Sequence, residues 1–436
     1  MYRLIILLVL LFPCTNICAQ DWTVKLDSVL TISAKDNLFD GQVLIAEKGE
    51  VEFNKAYGFS KKGEVITPNS ALSIASVSKA ITALSILILQ DRGLLNINQK
   101  ITEYIPELPY NEVSIKNLLN MTSGLPRFQP TVEKYGDTTK TYSANGLIKL
   151  ISKHRPQASD PGVTFGYNND NYLLLAVIVE KVTGEPFAKF VQTNIFNPLG
   201  MHNSYIYKKI ADDNYSNLSS NAGPALGAGH MCSTAYDLYL FEQALYGNKL
   251  LSQDLIEKSF EYTRLKDGSL SNYGFAWRLH KDDIVNEVYI IGDGEDTRAS
   301  VQRFTYQNKA LIYIHNKSGS NWKKVYTAVR NIWEGKPFEM PQKRIVYDID
   351  TNLYQKYVGK YLSKPFGLLH ITVENNKLYL RPDPIPGKEE LVPSSDTTFF
   401  FSEQALEWEF FLDENGKVIG LGLKGNKETM GSKQID

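Results

Sequence analysis

Ser76 and Lys79 stand three residues apart in the run Ser73-Ile74-Ala75-Ser76-Val77-Ser78-Lys79. On a helix that spacing puts both side chains on one face, where an amine and a hydroxyl can meet. A serine hydroxyl is a weak nucleophile at neutral pH and needs an adjacent base. A lysine whose pKa is lowered by burial can be that base. A helix N-terminus at Ser76 would add backbone N–H groups and a dipole that favours negative charge, the electrostatics that acyl transfer requires. The spacing alone is not distinctive, because Ser320 and Lys323 repeat it, and an isolated pair of this kind reads more simply as a capping serine beside a solvated lysine. The 6 histidines form no short His-x-x-x-His or Cys/His spacing. A zinc hydrolase is therefore not supported, and no metal or cofactor is called for.

The elements that must position this pair can be read from periodicity. Residues 22–37 have helical spacing, and residues 42–47 and 51–58 read as two strands joined at Lys48-Gly49. From Ser76 to about Asp91 the apolar Val77, Ile81, Leu84 and Ile88 form one stripe, with Gly93 as a stop. Further helices are expected over 170–182, closed by Gly184, and over 234–246, with Ser233 as N-cap. Residues 283–291 and 310–314 have strand character and lead into a helix over 322–333. Residues 335–341 break the periodicity. Short alternating runs follow, turning at Asn375-Asn376 and Asn415-Gly416, as in a meander or small barrel. Its aromatic residues Phe399, Phe400, Phe401 and Trp408 suit a packed core better than a ligand groove.

Composition excludes several classes. The chain has 436 residues, 43% hydrophobic and 22% charged, so a sizeable core is available. With 47 basic against 48 acidic residues, there is no footprint for nucleic acid. No interior run reaches the ~18–20 apolar residues of a membrane span. Arg3, the apolar run 4–12 and Ala19 before Gln20 read as a signal peptide over 1–19, which implies a periplasmic or secreted protein. Lipidation at Cys14 or Cys18 is the lesser alternative, because Phe12-Pro13 and Asn16-Ile17 lack small residues. Removal of the leader leaves Cys232 alone, so no internal disulfide can form.

The setting of the serine changes its meaning. After Ser76-Val77-Ser78-Lys79 come Leu118-Leu119-Asn120-Met121-Thr122-Ser123-Gly124-Leu125, then Tyr167-Asn168-Asn169, then Pro198-Leu199-Gly200-Met201. Over residues 42–332 the chain resembles the serine β-lactamase-like and penicillin-recognising hydrolases, in the branch of class C β-lactamases, D-aminopeptidases, carboxypeptidases and esterases. Residues 345–436, with Tyr357-Val358-Gly359-Lys360-Tyr361, resemble the lipocalin-like β-domain appended to many of them. The resemblance implies an α/β (α+β) fold with a central antiparallel sheet flanked by helices, an all-helical region and a small all-β C-terminal barrel. The expected boundaries are a hydrolase domain over 20–334, a linker over 335–344 and the β-domain over 345–436.

By the same resemblance Ser76 is the acylated nucleophile and Lys79 its proton acceptor. Tyr167 shares the base role or protonates the leaving group, and Asn169 bonds the substrate amide and Lys79. Tyr167 could act as a base only if neighbouring cations favoured phenolate. The third motif of the family, a strand carrying Lys or His before a glycine, departs here. Tyr289-Ile290-Ile291-Gly292-Asp293-Gly294-Glu295-Asp296-Thr297-Arg298 offers Ile290 or Gly292 at the cationic position. Gly292 and Gly294 are expected to line the substrate. The acids argue against a substrate carboxylate unless Arg298 folds back to supply the cation. His230 stands where the family usually has glycine. The expected function is an exported serine hydrolase that forms an acyl-enzyme at Ser76 on a β-lactam, a D-amino-acid peptide or an ester. Small molecules and peptides, cell-wall-derived ones included, are the expected partners. The alternative is a catalytically impaired binding protein of the same fold, suggested by the missing Lys or His.

Overall fold

The computed structural model describes residues 17–137, 142–207, 226–281, 286–294, 297–316, 322–342, 346–383, 387–401 and 407–434. The leader residues Arg3 to Cys14, the acids Glu295 and Asp296, Ser320 and the expected strand start at Asp283 lie outside them. By residue contacts the chain divides into two compact units, one of Asp40–Lys317 and one of Met1–Phe39 with Ser318–Asp436.

The first unit is built on a six-stranded sheet of order β2-β1-β11-β10-β9-β8. Its strands are β1 (Gly41–Glu47), β2 (Glu50–Tyr57), β8 (Arg278–Lys281), β9 (Asn286–Asp293), β10 (Arg298–Phe304) and β11 (Lys309–His315), and every pairing is antiparallel. Short strands β3 (Leu72–Ser73), β4 (Tyr205–Ile206) and β5 (Met231–Ser233) form a separate sheet, and β6 (Thr263–Arg264) pairs with β7 (Leu270–Ser271). In β10 and β11 nearly every residue is buried, as expected of strands covered on both faces.

Two helices carry the site, and both are apolar almost all round. Helix α2 (Ser78–Asp91) buries every residue from Ser78 to Leu89, and α3 (Asn169–Thr183) every residue from Asp170 to Val179. A helix with no polar face has to be surrounded by protein, and these two pack against each other in the core. The start of α3 is set by Asn168, whose side chain accepts from Asp170 N, and its end by Gly184 at φ +71°. A further helix, α4 (Ala235–Gln243), is capped by Thr234 and not by Ser233 as expected: Thr234 Oγ1 accepts from Asp237 N, whereas Ser233 Oγ lies 2.7 Å from Ser204 Oγ.

The second unit contains α1 (Ile17–Lys35), which begins earlier than its periodicity suggested, and α5 (Trp322–Trp333), where expected. These two pack together, and α5 buries Val325, Ala328, Val329 and Ile332 as one stripe. The same unit holds a closed eight-stranded barrel, β12 to β19, each strand antiparallel to the next and β19 returning to β12. Its strands are β12 (Gly359–Ser363), β13 (Gly367–Glu374), β14 (Lys377–Pro382), β15 (Glu389–Pro393), β16 (Thr398–Phe400), β17 (Glu407–Leu412), β18 (Val418–Leu423) and β19 (Gly431–Lys433). Asn375 and Asn376 turn the β13–β14 hairpin with both residues at positive φ. Asn415-Gly416 sits in a longer loop, Asp413 to Lys417, because a register shift near Phe411 changes the spacing. Phe399, Phe401 and Trp408 are buried core residues of the barrel, packed with Tyr357 and Phe410.

One latch places the start of α3 against the loop that follows Leu119. Phe128 N donates to Asp170 Oδ2 at 2.8 Å, Asn168 Nδ2 donates to Leu125 O at 3.1 Å, and Ser123 Oγ donates to Asn171 Oδ1 at 2.8 Å. Burial raises the Asp170 carboxyl to about pKa 6, opposed by the Phe128 hydrogen bond and the Arg127 charge. The native state therefore holds a proton that the unfolded chain has released, and stability falls as pH rises from about 4 to about 6. Asp170→Asn keeps an acceptor for Phe128 and removes the titration. Chemical denaturation at several pH values should show wild type losing stability relative to Asp170→Asn across that window; parallel curves would remove Asp170 as the cause.

Candidate active site

Ser76 sits on a 3-10 turn, Ala75–Val77, that runs directly into α2, so the nucleophile stands just before the helix. Ala75 takes φ +42°, a strained value for a residue with a Cβ. The turn is held by two distant parts of the chain and by one local hydroxyl. Ile74 N donates to Met231 O at 3.0 Å, Thr297 Oγ1 donates to Ser73 O at 2.7 Å, and Ser78 Oγ donates to Ala75 O at 2.6 Å. Gly292 lies against it so closely that a Cβ there would fall 2.3 Å from Ile74 O and 3.0 Å from Ser76 N. The space that the missing side chain of Gly292 leaves is filled by the nucleophile turn itself. Gly294 has a similar duty, since a Cβ there would meet Thr297 Cγ2 at 3.0 Å.

Lys79 Nζ lies 2.8 Å from Ser76 Oγ and donates to Ala228 O at 2.7 Å. The side chain is fully buried. Tyr167 and Tyr172 present their rings to it at 5.0 and 5.8 Å, and no carboxylate pairs with it among the described residues. Loss of water without a counter-charge lowers its pKa to about 7, leaving much of it as free amine near neutrality. The Ala228 carbonyl is brought in by Gly227, at φ +69°, whose own carbonyl accepts from Thr82 Oγ1 at 2.7 Å on α2. A Cβ at Gly227 would meet Tyr172 O at 2.4 Å.

Tyr167, just ahead of α3, donates from Oη to Ser76 Oγ at 3.0 Å. Burial of its hydroxyl raises the phenol pKa; the Ser76 hydrogen bond and the Arg278 charge pull it down, and Asp293 pushes it up. The balance runs against the condition under which Tyr167 could act as a phenolate base, since burial outweighs the cationic pull. Asn169 is the first residue of α3, half-buried beside Tyr167. It does not bond Lys79, whose contacts are Ser76 and the Ala228 carbonyl; a backbone acceptor takes the place expected of Asn169.

The structure brings Ser76, Lys79, Tyr167 and Gly292 together and gives Arg298 another partner. Arg298 binds Asp293 at 2.7 Å and donates to the carbonyls of Gly294 and Thr297. Asp293 is thereby neutralised, so its charge does not stand unopposed at the mouth of the site. The ladder also determines which way the β9 amides point. Gly294 N donates to Thr297 O at 2.9 Å, and hydrogen-bonded pairs alternate along an antiparallel ladder, so Asp293 N–H points away from β10. Among the described residues, strand β8 pairs with Asn286 to Tyr289 of β9 and no strand pairs with that outer edge from Ile290 to Asp293. His230 occupies the expected glycine position at φ +62°, which explains why a glycine fits there, and its ring lies edge-on to Tyr207 at 6.4 Å. Cys232 is buried.

Two groups were not singled out from sequence. The Ala228 carbonyl carries no side-chain signature and could be found only from the fold. Arg278, at the start of β8, was visible as a cation close before the altered motif, but its placement depends on the β8–β9 hairpin.

The chain is similar to known proteins in sequence and fold. Residues 32–332 match the family model described as Beta-lactamase, and residues 343–435 match one described as Domain of unknown function (DUF3471). The chain is 30% identical over 413 residues to Penicillin-binding protein 4* of Bacillus subtilis, covering 86% of this chain and 91% of that protein. In fold it is similar to the octameric penicillin-binding protein homologue from Pyrococcus abyssi, with TM-score 0.58, 18% identity and coverage of 95% of this chain and 99% of that one. It is similar also to the D-amino acid amidase from Ochrobactrum anthropi, with TM-score 0.58, 21% identity and coverage of 72% and 99%. With the nucleophile turn, the buried lysine and the barrel all in place, the chain belongs to the beta-lactamase family of penicillin-binding-protein-like serine hydrolases.

Proposed function

We propose that this protein hydrolyses an amide or ester through an acyl-enzyme at Ser76, and that it does so as an exported enzyme, the apolar run 4–12 being its leader. The observation that carries the reading is the buried amine of Lys79, 2.8 Å from Ser76 Oγ, with its pKa lowered to about 7. The neutral amine accepts the Ser76 proton as Oγ attacks the substrate carbonyl. The developing oxyanion meets two backbone donors, Ser76 N–H and the outward Asp293 N–H; losing one such donor typically costs about 3–4 kcal/mol of barrier.

Tyr167, held neutral, passes a proton to the leaving group and is reprotonated by Lys79, which holds the proton taken from Ser76 and lies 5.0 Å from the Tyr167 ring centroid, so the net transfer is from the serine to the leaving group. Water then enters as the second nucleophile, with the same groups working in reverse. Asn169 flanks the substrate amide. The substrate is a β-lactam, a D-amino-acid peptide or an ester. The family relatives support this range by their names, one a penicillin-binding protein and one a D-amino acid amidase. The reading as an impaired binding protein draws on the missing third-motif cation, but a binding protein has no use for a lysine stripped of its water beside a serine, a costly arrangement.

Intact-protein mass spectrometry after exposure to a fluorophosphonate, and separately to a penicillin, is expected to show one adduct that Ser76→Ala abolishes. No adduct with either reagent would leave the impaired-protein reading standing. The rate of acylation should also rise about tenfold per pH unit below pH 7, where Lys79 loses its proton, and then level off. Because the Tyr167 pKa is raised and not lowered, no falling limb should appear below pH 9. A flat profile between pH 5 and 8 would exclude Lys79 as the base.

A further inference from the structure

A second cavity lies away from the nucleophile. Its volume is about 500 Å³, a size typical of small-molecule sites, and none of Ser76, Lys79, Tyr167 and Gly292 lines it. Its wall is drawn from α2, the short helix Ile115–Leu119, the helix Gln253–Lys258 and strand β6, all in the first unit. The stretch Asn120-Met121-Thr122 runs between this cavity and the catalytic residues. Asn120 and Thr122 are buried and line the cavity. Met121, at φ +60°, serves the other side: its carbonyl accepts from Gly166 N at 2.9 Å and its Sδ from Asn168 N at 3.4 Å, the two neighbours of Tyr167 in sequence. The cavity is therefore distinct from the catalytic cleft.

Charge on its wall is one-sided. Lys116, Lys258 and Arg264 reach this space from three different elements, against one acid, Glu261. Among the described residues none of the three cations is ion-paired; the two ammonium groups have no hydrogen-bond acceptor, and Arg264 gives one N–H to Gly268 O at 2.8 Å. Like charges around a concave space repel one another and concentrate anions there. An arginine fork beside ammonium groups is a donor set for a phosphate or a carboxylate. The uncharged wall suits hydroxyls. Gln90 Oε1 accepts from Ile97 N at 2.8 Å, which leaves the Gln90 amide N–H groups without a partner among the described residues, and the side-chain amide of Asn98 has none at either end. Amides give and take hydrogen bonds together, as a ring of hydroxyls requires. Ile97 and Phe275 add apolar surface for the C–H face of such a ring.

We propose that this cavity is a second ligand site and that it takes an anionic sugar. The phosphate or carboxylate is held by Lys116, Lys258 and Arg264, and the hydroxyls lie on Gln90 and Asn98. Binding is non-covalent and does not rest on the acyl-transfer reading, so either can fail without the other.

Calorimetry on the full chain, with glucose 6-phosphate, glucuronate, glucose and inorganic phosphate as probes, tests this directly. At least one of the two anionic sugars should bind about tenfold or more tightly than glucose or phosphate alone, and the tighter of the two identifies the anion. Lys258 and Arg264 have exposed side chains, so Lys258→Gln and Arg264→Gln leave the fold in place, which an unchanged melting temperature verifies. Each should weaken the anionic sugar about tenfold. Asn98→Ala should weaken the sugar and leave inorganic phosphate unchanged. Three results would each overturn the proposal. The first is no binding of either anionic sugar at millimolar concentration. The second is phosphate bound as tightly as glucose 6-phosphate, which would make the cavity a site for an adventitious ion only. The third is sugar affinity unchanged in both Lys258→Gln and Arg264→Gln, which would put the binding elsewhere.

Discussion

The arrangement depends on an amine that has been taken out of water and given no acid. A charged ammonium in an apolar interior costs several kcal/mol unless something compensates, and a carboxylate partner would do so by holding the proton in place. Lys79 is compensated only in part, by one carbonyl, one hydroxyl and two aromatic faces. Those partners tolerate the cation but do not require it. The result is an amine that can exchange its proton near pH 7, where a fully solvated lysine would keep it.

The second constraint is geometric. Ser76 projects from a turn that its local sequence would not adopt unaided, with Ala75 at positive φ. Strain of this kind persists only where the surroundings over-determine it. Here Met231, Thr297 and Gly292 do so, from three segments more than a hundred residues away in sequence. The same contact that pins the turn sets β9 beside it, so the nucleophile and the outward Asp293 N–H are positioned by one packing event. A side chain at 292 would separate them, which gives the glycine of the altered motif a steric reason independent of any substrate. Gly227 acts likewise on the other side, carrying the Ala228 carbonyl to Lys79.

Much of this was legible in the residues. Helix α5, the stop glycines Gly93 and Gly184, and the Asn375-Asn376 hairpin followed from periodicity and turn chemistry, since each depends on its nearest neighbours. The Ser76, Lys79 and Tyr167 constellation was legible because resemblance supplied long-range contacts that spacing cannot. What escaped depended on tertiary context. Ser233 was expected to cap α4, but Ser204 claims its hydroxyl and Thr234 caps instead. Asn168 caps α3, and its side-chain amide is held by the Leu125 carbonyl, a contact only the fold supplies. The protonation of Tyr167 turned on burial, which no count of neighbouring cations conveys. Arg298 was expected to face either the acids or the substrate, and the pairing across β9 and β10 gave it to Asp293.

The central claim is that Lys79 is a largely neutral amine at physiological pH, and it can be observed directly. Carbon-13 NMR of protein labelled at lysine Cε resolves each titration without any substrate. The account predicts one lysine with a midpoint near pH 7 that is absent from Lys79→Met. A spectrum in which no lysine titrates below pH 9 would contradict it.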